Sequence, residues 1–136
     1  MASVFWIKGK IDSPMEWYAN KMGCESAWEF DDILKSYHLG EIYIKECNGS
    51  ISFEDTSENE FFAWQTSSWI AISDGQELVY GYYNGDAGNA EFVHIKNGTC
   101  IRDYRVYDFE LDTDEGVSPE FHDWVDVAKY VDKELL

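Results

Sequence analysis

The chain has 136 residues, 45% of them hydrophobic and 17% aromatic, with 27 acids against 10 bases. That length suits one domain spanning 1–136 and lets roughly two-thirds of the unfolded surface be buried, and the apolar content excludes a disordered polyanion. A net charge of −17 repels phosphate backbones and anionic bilayers, so direct binding to nucleic acid or a membrane is not expected, whereas solubility or attraction to a basic partner is.

Residues 3–10, SVFWIKGK, read as a first strand. A short helix follows in SPMEWYANKMG, with Ser13 as cap, Pro14 at the first helical position, Glu16 completing a capping box and Gly23 as the stop. SAWEFDDILKSYHLG repeats the device with Ser26 and Glu29. There Phe30, Ile33, Leu34 and Tyr37 fall at i, i+3, i+4 and i+7, one face of a helix, although a broken extended segment would hold the same aromatics.

From residue 41 the hydrophobic period becomes two. Asn48-Gly49 supplies the positive φ angles of a two-residue hairpin turn, and pairing outward sets Cys47 opposite Ser50, Glu46 opposite Ile51 and Ile44 opposite Phe53. The same arithmetic at Asp74-Gly75 predicts Ile70 opposite Val79. At Asn97-Gly98 it predicts Ile95 opposite Cys100 and His94 opposite Ile101. Gly85–Asn89 reads as a five-residue loop between strands. These short turns leave no room for crossover helices, so the sheet is antiparallel. SPEFHDWVDVAKYVDKELL closes the chain as a helix capped by Ser118 and begun at Pro119, with Phe121, Trp124, Val125, Ala128, Val131 and Leu135 as its apolar stripe. The fold class expected is α+β: an antiparallel meander of about five to seven strands with N-terminal and C-terminal helices packed on one face.

Motifs for chemistry fail on their decisive residues. The loop in YYNGDAGNAEF (82–92) is not GxGxxG, lacks the Lys and Ser/Thr of a P-loop, and opens no helix whose dipole could hold phosphate. ELDTDEGVSPEF sets Glu110, Asp112 and Asp114 at calcium-loop positions one, three and five, but Gly116 falls one place late and Phe121 stands where the bidentate Glu belongs. His38, His94 and His122 show no metal spacing, and the hairpin register puts His94 and Cys100 on opposite faces. Cys24, Cys47 and Cys100 form no CxxC pair, which fits reduced thiols in a cytoplasmic protein. No export signal is read in MASVFWIKGKID, and no apolar run is long enough to span a bilayer. We expect no cofactor, no metal, no catalytic set, and hence no enzyme.

Two segments combine acids with aromatics and contain no base. FEDTSENEFF carries Glu54, Asp55, Glu58 and Glu60, with Phe61, Phe62 and Trp64 at its edge. DFELDTDEG carries Asp108, Glu110, Asp112, Asp114 and Glu115, with Tyr107 and Phe109 at its edge. Rings ringed by charge suit a protein-binding face, and Tyr82, Tyr83 and Asp86 of the glycine-rich loop are candidate contacts of the same kind. The bland reading is that the acids solvate loops and the aromatics are core.

The run LVYGYYNGDAGNAEFVHIKNGTCIRDYRVYD, with WVDVAKYVD in the last helix, resembles the small acidic immunity proteins of bacterial polymorphic toxin and contact-dependent inhibition systems. The resemblance covers the C-terminal half and transfers no catalytic residue. It implies a cytoplasmic protein that binds a basic toxin domain, a nuclease in many cases, and blocks it. Three alternatives stay open: a DNA mimic with carboxylates spaced like duplex phosphates, a small ligand-binding or enzymatic domain with an aromatic pocket, and a solvated structural domain with a partner unrelated to toxins.

Overall fold

The computed structural model describes residues 1–25 and 27–136. Nine strands form one antiparallel sheet: β1 Ala2–Lys8, β2 Glu29–Asp31, β3 Ser36–Leu39, β4 Ile42–Cys47, β5 Ser50–Asp55, β6 Glu77–Asn84, β7 Asn89–Lys96, β8 Thr99–Tyr107 and β9 Glu110–Gly116. Their spatial order is β2-β3-β4-β5-β1-β6-β7-β8-β9. Two four-stranded meanders therefore flank a central strand that comes first in the chain. The helices are α1 Pro14–Met22, α2 Thr66–Ser73 and α3 Trp124–Tyr130, the last continuing into a π turn over Val131–Leu135.

The sheet is two-sided because its inner strands are apolar on both faces, and each such face needs its own cover. Phe5 and Ile7 of β1, Leu78 and Tyr80 of β6, and Val93 and Ile95 of β7 join the layer under α1 and α2. Val4, Val79, Ala90, Phe92, Tyr104 and Val106 join the layer under α3 and the π turn. Trp69 of α2 is fully buried and stacks on Tyr80 at 4.2 Å, while Tyr18 of α1 stacks on Phe53 at 5.5 Å. Opposite, Gly81 leaves the room that Leu135 and Val131 fill, since a Cβ there would lie 2.6 Å from each. The N-terminal and C-terminal helices thus cover opposite faces, not one, and the strands number nine rather than five to seven.

The Asn48-Gly49 hairpin has the expected register, with Cys47 opposite Ser50, Glu46 opposite Ile51 and Ile44 opposite Phe53. Asp74-Gly75 does not turn a hairpin. Residues 66–73 are helical, and Asp74 (φ 52°) ends the helix in the left-handed conformation. At Asn97-Gly98, Ile95 pairs with Cys100 as expected, but a bulge leaves Ile101 unpaired and His94 opposite Arg102.

The predicted helix over 26–40 is instead β2 and β3. The Asp31 carboxylate accepts the Ile33 and Leu34 N–H groups at 2.9 Å, fixing a turn where a helix would need those donors further back. Phe30, Ile33, Leu34 and Tyr37 are all exposed on this hairpin. The proposed cap Ser26 lies outside the described residues. Helix α1 matches its predicted bounds, and Gly23 ends it at φ 67°, but Ser13 makes no side-chain cap bond. The last helix starts later than expected: Asp123, not Ser118, caps it by accepting the Val125 and Asp126 N–H groups at 3.0 and 3.2 Å.

Candidate functional site

One end of the sheet collects the acid-rich connections. It holds the start of β1, the end of β5, the β6–β7 turn and the β8–β9 turn. The glycine-rich loop packs directly on the second turn: the Phe109 N–H donates to the Gly88 carbonyl at 2.9 Å and the Asp108 N–H to Asn89 Oδ1 at 3.0 Å. Phe62 reaches the same place, 5.2 Å from the Tyr82 ring and 5.8 Å from Tyr107. Asp86, Asp108, Glu110, Phe62 and Phe109 are exposed there, and Glu58 is close enough to act electrostatically on Tyr82 and Tyr83.

Charge is segregated along the strands. The segments building this end, residues 1–7 and those within the stretches 46–95 and 106–128, contain no lysine or arginine. Five of the eight lysines, Lys8, Lys10, Lys35, Lys45 and Lys96, lie at the opposite end, as the strand registers and the cleft shared by Lys10 with Asn48 and Gly49 require, interleaved there with Asp12, Asp31, Glu46 and Glu77. Both arginines are interior.

Not every predicted contact joins the exposed cluster. Asp55 is 1% exposed, and its carboxylate accepts the Ser57 N–H and hydroxyl and the Glu60 N–H, shaping the turn after β5. Tyr82 is 4% exposed and Trp64 is half-buried, packed edge-on to Phe61. Glu54 is half-buried on the α3 face beside Trp6 and Leu135. Tyr83 donates its hydroxyl to Asp132 at 2.7 Å. The run 110–116 is a strand, not a loop. Within it Asp114 is held by Arg102 Nη1 at 2.6 Å, while Glu110, Asp112 and Glu115 stay exposed with no ion pair among the described residues.

Beneath the cluster lies a buried network that sequence reasoning missed. Glu91 is fully buried. Its carboxylate accepts the Ala63 N–H at 3.1 Å, the Tyr80 hydroxyl at 2.7 Å, the Tyr107 hydroxyl, and Arg105 Nη1 at 3.2 Å. Arg105 also donates from Nε to Asp103 at 2.8 Å and from Nη1 to the Trp64 carbonyl at 2.7 Å, and Thr66 donates to Asp103 at 2.5 Å. Burial, then the Glu91 charge, pushes the Tyr80 and Tyr107 hydroxyls above their ordinary range. Burial pulls the Arg105 guanidinium down, but its bonds to Tyr107 and Asp103 and the charges of Asp103 and Glu91 outweigh this and raise it. The network bolts the segment 56–65, and with it Phe62, onto the sheet. The alternation Asp103-Tyr104-Arg105 was the available signal. The unbulged register, however, would set Glu91 opposite Tyr104 instead of Arg105.

A groove of about 440 Å³ between α1 and α2 is lined by Lys21, Met22, Trp64, Ser68, Ala71 and Ile72, with neither a histidine nor a carboxylate in its walls. Cys24, Cys47 and Cys100 are unbonded. Among the described residues no three His, Cys, Asp or Glu side chains converge as a metal site would need, and no helix is long and apolar enough to cross a membrane. No protein family, curated protein or solved structure matches the chain.

Proposed function

We propose that the chain is a binding protein that neutralises a basic partner, acting in the cytoplasm as an immunity protein that blocks a cognate toxin domain, with a nuclease as the toxin the charge suits best. The segregation of charge along the strands supports this reading. Acids and exposed rings share one end of the sheet with no base among them, whereas at the other end lysines offset Asp12, Asp31, Glu46 and Glu77, and a field that is strong at one end alone orients a cationic partner as well as attracting it. Phe62 and Phe109 supply apolar contact inside the acidic rim. The DNA-mimic alternative is less well served. Along β9 the acids alternate between the two faces, which divides the charge instead of aligning it like a phosphate ladder.

The test is co-purification with the product of the adjacent toxin gene, together with rescue of cells expressing that toxin. Wild-type protein binds and rescues. Asp86→Lys, Asp108→Lys and Glu110→Lys combined slow association by about tenfold or more at low salt, with a much smaller effect at high salt. Absence of both binding and rescue by the wild-type chain defeats the reading.

A further inference from the structure

We propose that β9 is a docking edge that takes up an extended basic segment of the partner as an additional strand. This rests on the reading of the chain as an acidic binding protein, and it names the mode of contact and the segment contacted. β9 ends the sheet and pairs only with β8. Apart from the Glu115 carbonyl, taken by Arg102 at 2.7 Å, its outward backbone groups have no partner among the described residues. A bulge at Asp112 interrupts its seven residues, and the regular run 113–116 still exceeds the three residues of the other edge, β2.

The side chains select what pairs there. The β8 register puts Glu110, Thr113 and Glu115 on the face of Tyr107, Arg105 and Asp103, and Leu111 on the face of Val106. An incoming strand with Lys or Arg at alternate positions meets Glu110 and Glu115 on one face and sets an apolar side chain against Leu111 on the other. Leu111, 60% exposed, and Val117, 86% exposed, give apolar contact along the same edge. A second copy of this chain is disfavoured, because two β9 edges would bring like charges together.

The test uses the full chain, nitrogen-15 labelled, and two peptides of about eight residues that alternate lysine with valine. One is unmodified. The other carries N-methyl groups on successive central residues, which removes donors from both of its edges and leaves its charge unchanged. The unmodified peptide is expected to bind and to shift the amides of 110–116, and N-methylation is expected to weaken binding by about tenfold or more. Glu110→Lys with Glu115→Lys is expected to abolish the preference for the unmodified peptide while leaving the amide spectrum folded. Equal binding of both peptides, or shifts confined to Asp86 and Asp108, overturns strand addition and leaves the acidic-surface reading standing. No binding of the unmodified peptide also overturns it, and toxin co-purification then decides the broader reading separately. Dimerisation of the free protein through β9 in sedimentation overturns it as well.

Discussion

Phe109 lies over Gly88. Its backbone N–H donates to the Gly88 carbonyl at 2.9 Å, and a Cβ on Gly88 would sit 2.6 Å from its ring. This contact ties the β6–β7 loop to the β8–β9 turn and so fixes Asp86 relative to Asp108. Gly88 also sits at φ +68°, where a side chain is strained. Gly88→Ala is expected to cost about 1–3 kcal/mol in denaturant unfolding. In a Phe109→Ala background the same change is expected to cost only the backbone share, about 1–2 kcal/mol. Equal costs in both backgrounds would show that the ring does not depend on the glycine.

Among the described residues Arg105 is the only cation in its buried network, facing Glu91 and Asp103. Arg105→Met is expected to lower stability by about 3–5 kcal/mol, because two buried carboxylates lose their counter-charge. Arg105→Lys is expected to recover little. An ammonium cannot repeat the planar set of bonds to Asp103, Glu91 and the Trp64 carbonyl. Hydrogen exchange at the Ala63 amide, which donates to Glu91, is expected to rise in both variants.

The Tyr83 hydroxyl is pushed up to about 12 from its ordinary value of 10.0 by burial, then by its hydrogen bond to Asp132, then by the Asp132 charge. The folded state therefore holds this proton more tightly than the unfolded chain. The resulting stability is fully present below pH 10 and is lost as pH rises through about 12. Denaturant midpoints measured across that window are expected to fall less steeply in Tyr83→Phe than in the wild type. Asp132→Asn, which keeps a hydrogen-bond acceptor but removes the charge, is expected to bring the Tyr83 transition to lower pH.

Gly81 faces Val131 and Leu135 at a distance that admits no side chain. Gly81→Val is expected to lift the π turn and to cost about 1–3 kcal/mol or more through overpacking. The local readout is the Trp6 indole N–H, which donates to the Leu135 carbonyl at 2.8 Å. Its exchange is expected to quicken in the variant, while the Tyr18–Phe53 side of the sheet stays protected.

Legibility followed how many structures a local pattern can serve. Asn48-Gly49, flanked by strict alternation, serves a hairpin and little else, and its register is found residue for residue. Asp74-Gly75 asks for positive φ just as firmly, but a helix end satisfies that need as well as a hairpin does. Trp69 and Ile72, three apart and both buried, mark the helix. Phe30, Ile33, Leu34 and Tyr37 have helical spacing, yet the Asp31 side chain captures two backbone donors and turns the chain. At the candidate site, the acids of 108–115 and their aromatic neighbours were readable from composition. Their meeting with Asp86 and Phe62 was not, because it depends on contacts between distant segments. Nor was the Glu91–Arg105 pair, since one bulged residue moves every partner beyond it.

The placement of β1 between two meanders has a kinetic consequence. Every other neighbouring pair of strands, in each four-stranded half, is joined by a short connection, whereas Phe5 waits for Phe53 on one side and Tyr80 on the other. Each half can zip up by local closure, but neither can pair the inner edge of β5 or β6 until β1 slots between them. The first strand made is thus the last to find its place, and its arrival joins two half-sheets into one cooperative unit. A single slow step with both halves already hydrogen-bonded is the expected refolding pattern. Pulse-labelled exchange would show it as late protection confined to 2–8 and the edges of β5 and β6 that face it.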